Sequence, residues 1–312
     1  MKEEVVSFKS AGSRLHGVLG VPEDLRASER RAAFLVLHGF GSNSESSNVL
    51  APTRVLNQFG YVTLRFDMRG CGKSEGEFGR VICLEQVEDL GNALDFLATR
   101  PAVDPDRIGA IGSSFGGAVA VYAGGTNLRL AAVISNGGWG HGERKFRGQH
   151  RTPEAWAKFT KMLEEGRAYR ARTGKSLMVP RYDIVPIPDH VRQNLERQKV
   201  GMLAPNSVEM FPAETAQSMF DFRAEEVVGK IAPRSLLLIH AANDSVTPTE
   251  QSIEMFKRAG QPSELHLISD ADHFMFGENN TRVWNLVREW LADYFPATQA
   301  ATRKVAAAAA GH

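Results

Sequence analysis

The chain has 312 residues, of which 43% are hydrophobic and 23% are charged, a composition typical of a globular protein with a large buried core. Its 37 lysines and arginines balance 36 aspartates and glutamates, and the net charge of +1 gives no field that would favour nucleic acid or an anionic membrane surface as a partner. Two cysteines exclude a disulfide framework, and the acidic residues near the N-terminus argue against a standard signal peptide, so we expect a cytoplasmic protein without a membrane span.

The first predicted elements alternate between short β-rich runs and helical patterns, which is the rhythm of a parallel sheet built from βαβ units. In the clearest helix, at residues 83–99, apolar side chains recur at intervals of three and four. The strands predicted in this half span residues 14–21, 33–37, 62–66, 107–111 and 130–135, and the other helices span residues 48–59 and 117–123.

This rhythm stops for about ninety residues, where prolines, aromatic residues and basic helical segments replace the apolar runs. The elements predicted after the break are strands at 235–240 and 264–269 and helices at 248–259 and 281–294. We therefore predict an α/β fold in which residues 1–136 and 231–296 form one core, with a mostly parallel central sheet flanked by helices. Residues 137–230 are predicted to form an inserted helical cap, and residues 297–312 a disordered tail.

The segment Gly112-Ser113-Ser114-Phe115-Gly116 lies between a predicted strand and a predicted helix. A serine at the apex of a sharp strand-to-helix turn needs small residues two positions to either side, and only Ser114 has glycine at both of those positions. Such a turn exposes the hydroxyl, so Ser114 is the candidate nucleophile. Glycine–serine turns are also common wherever a helix starts close to a strand, so catalysis requires partners elsewhere in the chain.

A serine hydroxyl needs a general base, usually an imidazole, and a carboxylate that orients this base. Two later loops, each following a predicted strand, supply Asp244 and His273. Ligands of open α/β sheets bind beyond the carboxyl ends of the strands, so we expect both side chains near Ser114. Asp270 and Asp272 are alternative orienting acids, but each is so near His273 in sequence that its loop would have to fold back sharply.

The order serine, aspartate, histidine along the chain resembles that of the α/β-hydrolase family. Two further stretches agree with this resemblance. Residues 38–41, His-Gly-Phe-Gly, directly follow a predicted strand and are similar to the family's oxyanion loop. Residues 67–74 are similar to its D-x-R-G-x-G-x-S loop. The resemblance implies an α/β-hydrolase fold over nearly the whole chain outside the cap.

The resemblance also implies roles for individual residues. The catalytic triad would be Ser114, Asp244 and His273, and the backbone N–H groups of Phe40 and Phe115 would form the oxyanion hole. No metal and no organic cofactor are expected. Structural roles are expected for the polar residues His38, Asp67, Arg69 and His240.

The predicted cap is rich in aromatic and basic residues. Trp139, directly after a strand, is the first candidate for the substrate pocket, and Tyr182 and Phe220 are further candidates. Between residues 141 and 181, lysines and arginines clearly outnumber acids. Either these cations form a solvated helical face, or one or two of them face the cleft and favour a substrate that carries a carboxylate.

We predict a serine hydrolase that cleaves a carboxylic ester of a small or medium acyl or aryl substrate through an acyl-enzyme. The expected partner is a small-molecule ester, and neither nucleic acid nor a membrane is expected to bind. The sequence leaves open whether the protein forms a homo-oligomer. An acylaminoacyl or dipeptidyl peptidase, an amidase and a carbon–carbon bond hydrolase use the same triad and are alternatives. A catalytically silent scaffold of the same fold is the alternative from a different class.

Overall fold

The computed structural model describes residues 1–189, 191–193, 205–277 and 279–298, and its centre is an eight-stranded sheet. The strands are β1 Lys2–Ser10, β2 Ser13–Val21, β3 Arg31–Leu37, β4 Val62–Phe66, β5 Val103–Ser113, β6 Leu130–Asn136, β7 Met178–Pro180, β8 Met210–Pro212, β9 Ser235–Ala241 and β10 Ser263–Ile268. Across the large sheet their order is β1-β2-β4-β3-β5-β6-β9-β10. The remaining two, β7 and β8, form a small antiparallel sheet of their own.

Most of the large sheet is parallel. β1 pairs with β2 and β2 with β4 in antiparallel fashion, and every other neighbouring pair is parallel. β3 and β9 are buried along their whole length, as their continuous apolar runs predict for strands covered on both faces. The predicted α/β fold with a mostly parallel central sheet is therefore confirmed.

Helices cover both faces of this sheet, and four more lie in the segment between β6 and β9. The described α-helices are α1 Ser47–Gln58, α2 Cys83–Ala98, α3 Phe115–Thr126, α4 Gly142–Gln149, α5 Pro153–Thr173, α6 Arg181–Ile184, α7 Ala213–Asp221, α8 Glu250–Arg258 and α9 Thr281–Tyr294. α1 and α9 pack in an apolar core on one face, whereas α2 and α3 pack in a second core on the other. In the described ranges, no helix is both long enough and apolar enough to cross a lipid bilayer.

Strand β1 is absent from the sequence-based prediction, which begins at residue 14. β1 is the edge strand, and of its nine residues only Val6, Phe8 and Ser10 are buried. Its first residues are exposed and charged because one side of an edge strand has no neighbour to cover it. β1 is nevertheless a regular strand, because all of its residues pair with β2, from Lys2 opposite Val21 to Ser10 opposite Ser13.

The segment between β6 and β9, residues 137–230, is called the insert below. Its apolar side chains do not form a separate core: Phe146, Phe159 and Phe211 belong to the same cluster as Phe115 of α3. Several of its basic residues form ion pairs with acids of the insert, among them Arg144 with Glu225, Arg147 with Glu143, Lys158 with Asp183 and Lys161 with Glu165.

Lys145 is a buried cation within the insert. Its side chain is 1% exposed, and its ammonium lies 4.8 Å from the ring centre of Trp139 and 4.0 Å from that of Phe146. It donates one hydrogen bond to Gln149 Oε1 at 3.0 Å. Burial lowers the pKa of Lys145 to about 7, because a charged amine is poorly solvated there.

We expect Lys145→Met to stabilise the protein near neutral pH. In the unfolded chain the amine keeps its ordinary pKa of 10.5, so between pH 7 and 10.5 the unfolded state binds the proton more strongly. The stability of the wild type should therefore rise with pH across this window, and the variant should lack that rise. Below pH 7 both states carry the charge, and the variant should be more stable by about 1–4 kcal/mol. Urea denaturation at about pH 6 and about pH 9.5 measures both effects, and equal pH dependence of the two proteins would contradict the expectation.

Candidate active site

Ser114 lies at the sharp turn between β5 and α3. Its backbone has φ 55° and ψ −116°, a conformation that residues with a side chain rarely adopt, and its N–H donates to Asn136 O at 2.8 Å. A Cβ atom on Gly112 would lie 2.3 Å from the carbonyl carbon of Gly116, and one on Gly116 would lie 2.6 Å from His38 O. Close packing explains both glycines, and the predicted strand–turn–helix is confirmed.

Asp244 and His273 form a hydrogen-bonded pair. Asp244 Oδ2 accepts from His273 Nδ1 at 2.7 Å, and both residues are buried. The other carboxylate oxygen, Oδ1, accepts from the backbone N–H groups of Val246 at 2.8 Å and Thr247 at 2.7 Å. These two donors fix the carboxylate, so the pair has a defined orientation.

His240 also contacts this carboxylate. Its Nε2 lies 3.2 Å from Asp244 Oδ2 and 3.0 Å from Thr247 O, and its Nδ1 lies 2.6 Å from Ser252 Oγ. Burial acts to raise the pKa of Asp244, but the attraction of His273 and the hydrogen bonds from both histidines outweigh it, so this pKa lies well below its usual value. His240 is thus a core residue, as predicted, with an additional contact to the candidate acid.

The alternative acids are placed elsewhere. Asp272 Oδ1 accepts from the backbone N–H groups of Ser245 at 2.9 Å and His273 at 2.8 Å, and its Oδ2 accepts from Ser245 Oγ at 2.7 Å. Asp270 is exposed and has φ 55°. Asp272 therefore joins the two loops that carry Asp244 and His273, and the imidazole ring itself bonds to Asp244.

Ser114 and His273 line one cleft, part of which is open to solvent. Ser114 Oγ makes no hydrogen bond to any described residue, so the hydroxyl is available. Such contacts are often loose in unliganded sites and tighten when substrate binds. The cleft is lined by Gly39, Phe40, Ser42, Asn48, Ser114, Val185, Ile187, Val246, His273 and Phe274.

The two candidate oxyanion donors flank Ser114. Phe115 is the first residue of α3, so its N–H has no partner within the helix. Phe40 lines the cleft from the loop after β3, and within the described ranges its N–H has no acceptor. His38 braces this loop, as expected: its Nδ1 lies 2.9 Å from Gly39 O, and its Nε2 accepts from Met68 N–H at 3.0 Å.

The other residues with expected structural roles also hold loops. Asp67 accepts from the backbone N–H groups of Ser44 at 2.6 Å and Lys73 at 2.8 Å, which connects two loops near the cleft. Arg69 Nη2 pairs with the buried Asp89 at 2.6 Å. The polar residues of the 67–74 motif thus lie outside the chemistry but support the loop beside it.

The pocket candidates from the sequence do not line this cleft in the described part of the chain. Trp139 is 1% exposed and packs behind the turn, 5.6 Å from the ring of Phe115. Tyr182 lies under the guanidinium of Arg192, and Phe220 packs against aromatic residues of the insert. These aromatic residues therefore pack the insert and do not form the surface of the cleft.

Smaller apolar residues form that surface instead. Val246 and Phe274 line the cleft and lie two residues after Asp244 and one after His273, so adjacency to the candidate triad was a usable signal. Val185 and Ile187 also line it, but they belong to an irregular part of the insert whose position no local pattern predicts.

Comparison with known proteins identifies the family. Residues 28–280 match the family model described as serine aminopeptidase, S33. The chain belongs to this α/β-hydrolase family. The sequence motifs resemble those of α/β-hydrolases, and this resemblance led us to expect three observed features: the fold, the serine turn and the aspartate–histidine pair.

Individual relatives of this S33-type hydrolase are distant. It is 27% identical to an uncharacterized 31.7 kDa protein in the traX-finO intergenic region of Escherichia coli, over 77% of this chain and 82% of that protein. It is 25% identical to the thiohydrolase aneE of Aspergillus aculeatus, over 77% of this chain and 78% of that protein. The crystal structure of hypothetical protein PA2218 from Pseudomonas aeruginosa is similar with a TM-score of 0.80 and 22% identity, over 94% of each chain, which shows a shared fold.

Proposed function

We propose that the protein is a serine hydrolase that cleaves carboxylic esters with Ser114 as nucleophile, His273 as general base and Asp244 as orienting acid. The observation that carries the proposal is the 2.7 Å hydrogen bond between Asp244 Oδ2 and His273 Nδ1, beside a cleft that Ser114 and His273 share. Membership of a hydrolase family supports it. Together the three side chains supply the groups that ester cleavage requires.

The proposed reaction has two halves. In the first, His273 Nε2 takes the hydroxyl proton of Ser114 while Oγ attacks the ester carbonyl carbon, and His273 then gives this proton to the leaving alkoxide. The alcohol departs and the acyl group stays on Ser114. In the second half, His273 takes a proton from water as the water attacks the acyl-enzyme, and then returns a proton to Ser114 Oγ as the acid leaves. Asp244 keeps Nδ1 protonated and stabilises the imidazolium.

Negative charge develops on the carbonyl oxygen of the substrate in each half. The backbone N–H groups of Phe40 and Phe115 are the proposed donors to this oxygen, because both belong to residues that flank the nucleophile. Removal of one such donor typically costs about 3 kcal/mol of transition-state stabilisation.

The described lining of the cleft favours an uncharged acyl group. None of its residues is a lysine or an arginine. A buried carboxylate without a cationic partner is costly, so we expect kcat/KM for p-nitrophenyl butyrate to exceed that for the p-nitrophenyl monoester of succinate by about tenfold or more. The ratio should change little between about 50 mM and about 500 mM salt. Faster cleavage of the succinate ester, slowed by salt, would instead support a cation in the cleft.

Cleavage of a thioester, or transfer of its acyl group, is a second candidate. The relationship to the thiohydrolase aneE favours it, and the same acyl-enzyme would serve. Parallel assays of a butyryl thioester of N-acetylcysteamine and of p-nitrophenyl butyrate compare the two, and an aminoacyl p-nitroanilide tests the peptidase alternative. Each kcat/KM is divided by the rate constant for uncatalysed hydrolysis of the same substrate, and the largest ratio decides the class.

The test of the proposal itself is hydrolysis of p-nitrophenyl acetate and butyrate, combined with treatment by a fluorophosphonate and measurement of the intact mass. We expect turnover, a single covalent adduct and loss of activity in proportion to the adduct. A folded protein with neither turnover nor adduct would reject the proposal and favour the silent scaffold.

A further inference from the structure

Arg181, at the start of α6, is a buried cation that reaches from the insert to the loop carrying Phe40. It is 4% exposed. Its Nη1 donates to Phe40 O at 2.8 Å, its Nη2 to Gly41 O at 3.0 Å and its Nε to Val208 O at 2.9 Å. No carboxylate in the described ranges lies within ion-pair distance of the guanidinium.

The loop that Arg181 contacts depends on the insert for its shape. Gly41 has φ +56°, and a Cβ atom there would lie 2.4 Å from Phe211 Cζ. Val208 N–H donates to Gly41 O at 2.8 Å, and the rings of Phe40 and Phe211 stack with their centres 4.3 Å apart. The carbonyl groups of Phe40 and Gly41 are thus fixed by residues of the insert.

The charge of Arg181 has an unusual setting. A buried cation is normally paired with an acid, because the loss of hydration is otherwise costly. Here the described partners are backbone carbonyl oxygens, which carry only partial charges. The tetrahedral intermediate of the proposed reaction would place a full negative charge on the substrate oxygen beside this loop.

We propose that Arg181 is a positioning residue of the candidate oxyanion hole, which holds the backbone of Phe40 through its carbonyl group and favours negative charge beside the Phe40 N–H. This inference rests on the proposed function and adds a role for the insert. Val185 N–H donates to Arg181 O at 2.9 Å, and Val185 lines the cleft. The short helix α6 therefore connects a residue that lines the cleft to the loop that carries Phe40.

Arg181→Met, Arg181→Lys and the control Arg144→Met test this role. In Arg181→Met we expect kcat for p-nitrophenyl butyrate to fall by about 30- to 100-fold while KM stays within about threefold, because only the charged transition state loses support. The rate of inactivation by the fluorophosphonate should fall by a similar factor. Arg181→Lys should recover only part of the loss, because the guanidinium contacts these carbonyls from three nitrogens, whereas the ammonium has a single nitrogen. Arg144 is an insert arginine paired with Glu225, and its variant should keep kcat within about twofold.

Unchanged kcat and inactivation rate in folded Arg181→Met would overturn the inference, as would a rise in KM alone. If the methionine variant does not fold, the lysine variant carries the test, and a folded Arg181→Lys with wild-type kcat overturns the inference. If the wild type and Arg181→Met react with the fluorophosphonate at the same rate, the role of Arg181 is rejected and the proposed function stands. A wild type with no turnover and no adduct rejects the proposed function, and this role with it.

Discussion

Ser114→Ala should lower kcat for p-nitrophenyl butyrate by about 10⁴-fold or more and abolish the fluorophosphonate adduct. Alanine has no hydroxyl to attack the carbonyl carbon, so the acyl-enzyme cannot form. The fold should be retained, because Ser114 Oγ bonds to no described residue and the turn is held by its flanking glycines and by the hydrogen bond from Ser114 N–H to Asn136 O. Steady-state kinetics, intact mass and circular dichroism measure the three quantities.

Ser113→Ala is the matched control. Ser113 is the neighbouring serine, but it is buried, and among the described residues its Oγ accepts only a 3.4 Å contact from Asn136 Nδ2. Its loss should change kcat by less than about threefold and leave the adduct intact. Equal losses in the two variants would show that disruption of the turn, rather than removal of a nucleophile, explains the result.

Asp244→Asn should lower kcat by roughly 10⁴-fold with little change in the fold. The backbone N–H groups of Val246 and Thr247 donate to Oδ1, so an asparagine must place its carbonyl oxygen there and its amide NH₂ toward His273. The NH₂ group then donates to His273 Nδ1 and forces the ring proton onto Nε2. This tautomer cannot accept a proton from Ser114, and kcat for the ester falls while KM changes little.

Asp272→Asn, at the alternative acid, provides the comparison. Asp272 bonds to Ser245 and to the backbone N–H of His273, so its amide variant should weaken the contact between the two loops and lower kcat by less than about tenfold. Melting temperature should report the change more clearly than kcat. A larger loss of kcat at Asp272 than at Asp244 would reverse the assignment of the orienting acid.

Acidification provides an independent check on Asp244. Its pKa lies below the usual value, so the carboxylate stays ionised at a pH where an ordinary aspartate is protonated. The stability that this charge contributes is present above the pKa of an unfolded aspartate and is lost only as pH falls through the lower, folded value. A loss of activity at mildly acidic pH would therefore report a group other than Asp244.

The parallel part of the sheet was predictable because its strands are short apolar runs whose burial is visible in composition. β1 was not, since six of the nine residues of this edge strand are polar or charged. A helix with one buried face is also predictable from sequence, because its apolar residues recur with the helical period. α9 was predicted at its observed bounds, Thr281–Tyr294, for this reason.

The candidate triad was predictable because each residue follows a strand, and the topology of a parallel sheet brings such loops together. The surface of the cleft was not predictable, because it depends on how an irregular segment packs. Arg181 was one basic residue among many in the insert, and only the three-dimensional structure separates a buried guanidinium from exposed ones. Val185 and Ile187 carry no local signal for the same reason.

The apolar cluster that the insert shares with α3 couples the shape of the cleft to the packing of the insert. Because Phe146, Phe159 and Phe211 belong to one cluster with Phe115, the insert is part of the core rather than a separate layer above it. The rim of the cleft belongs to the same packing, since Val185 is a member of this cluster and Ile187 lies against it. A substitution at either position would therefore change the seating of the insert on the core together with the shape of the cleft.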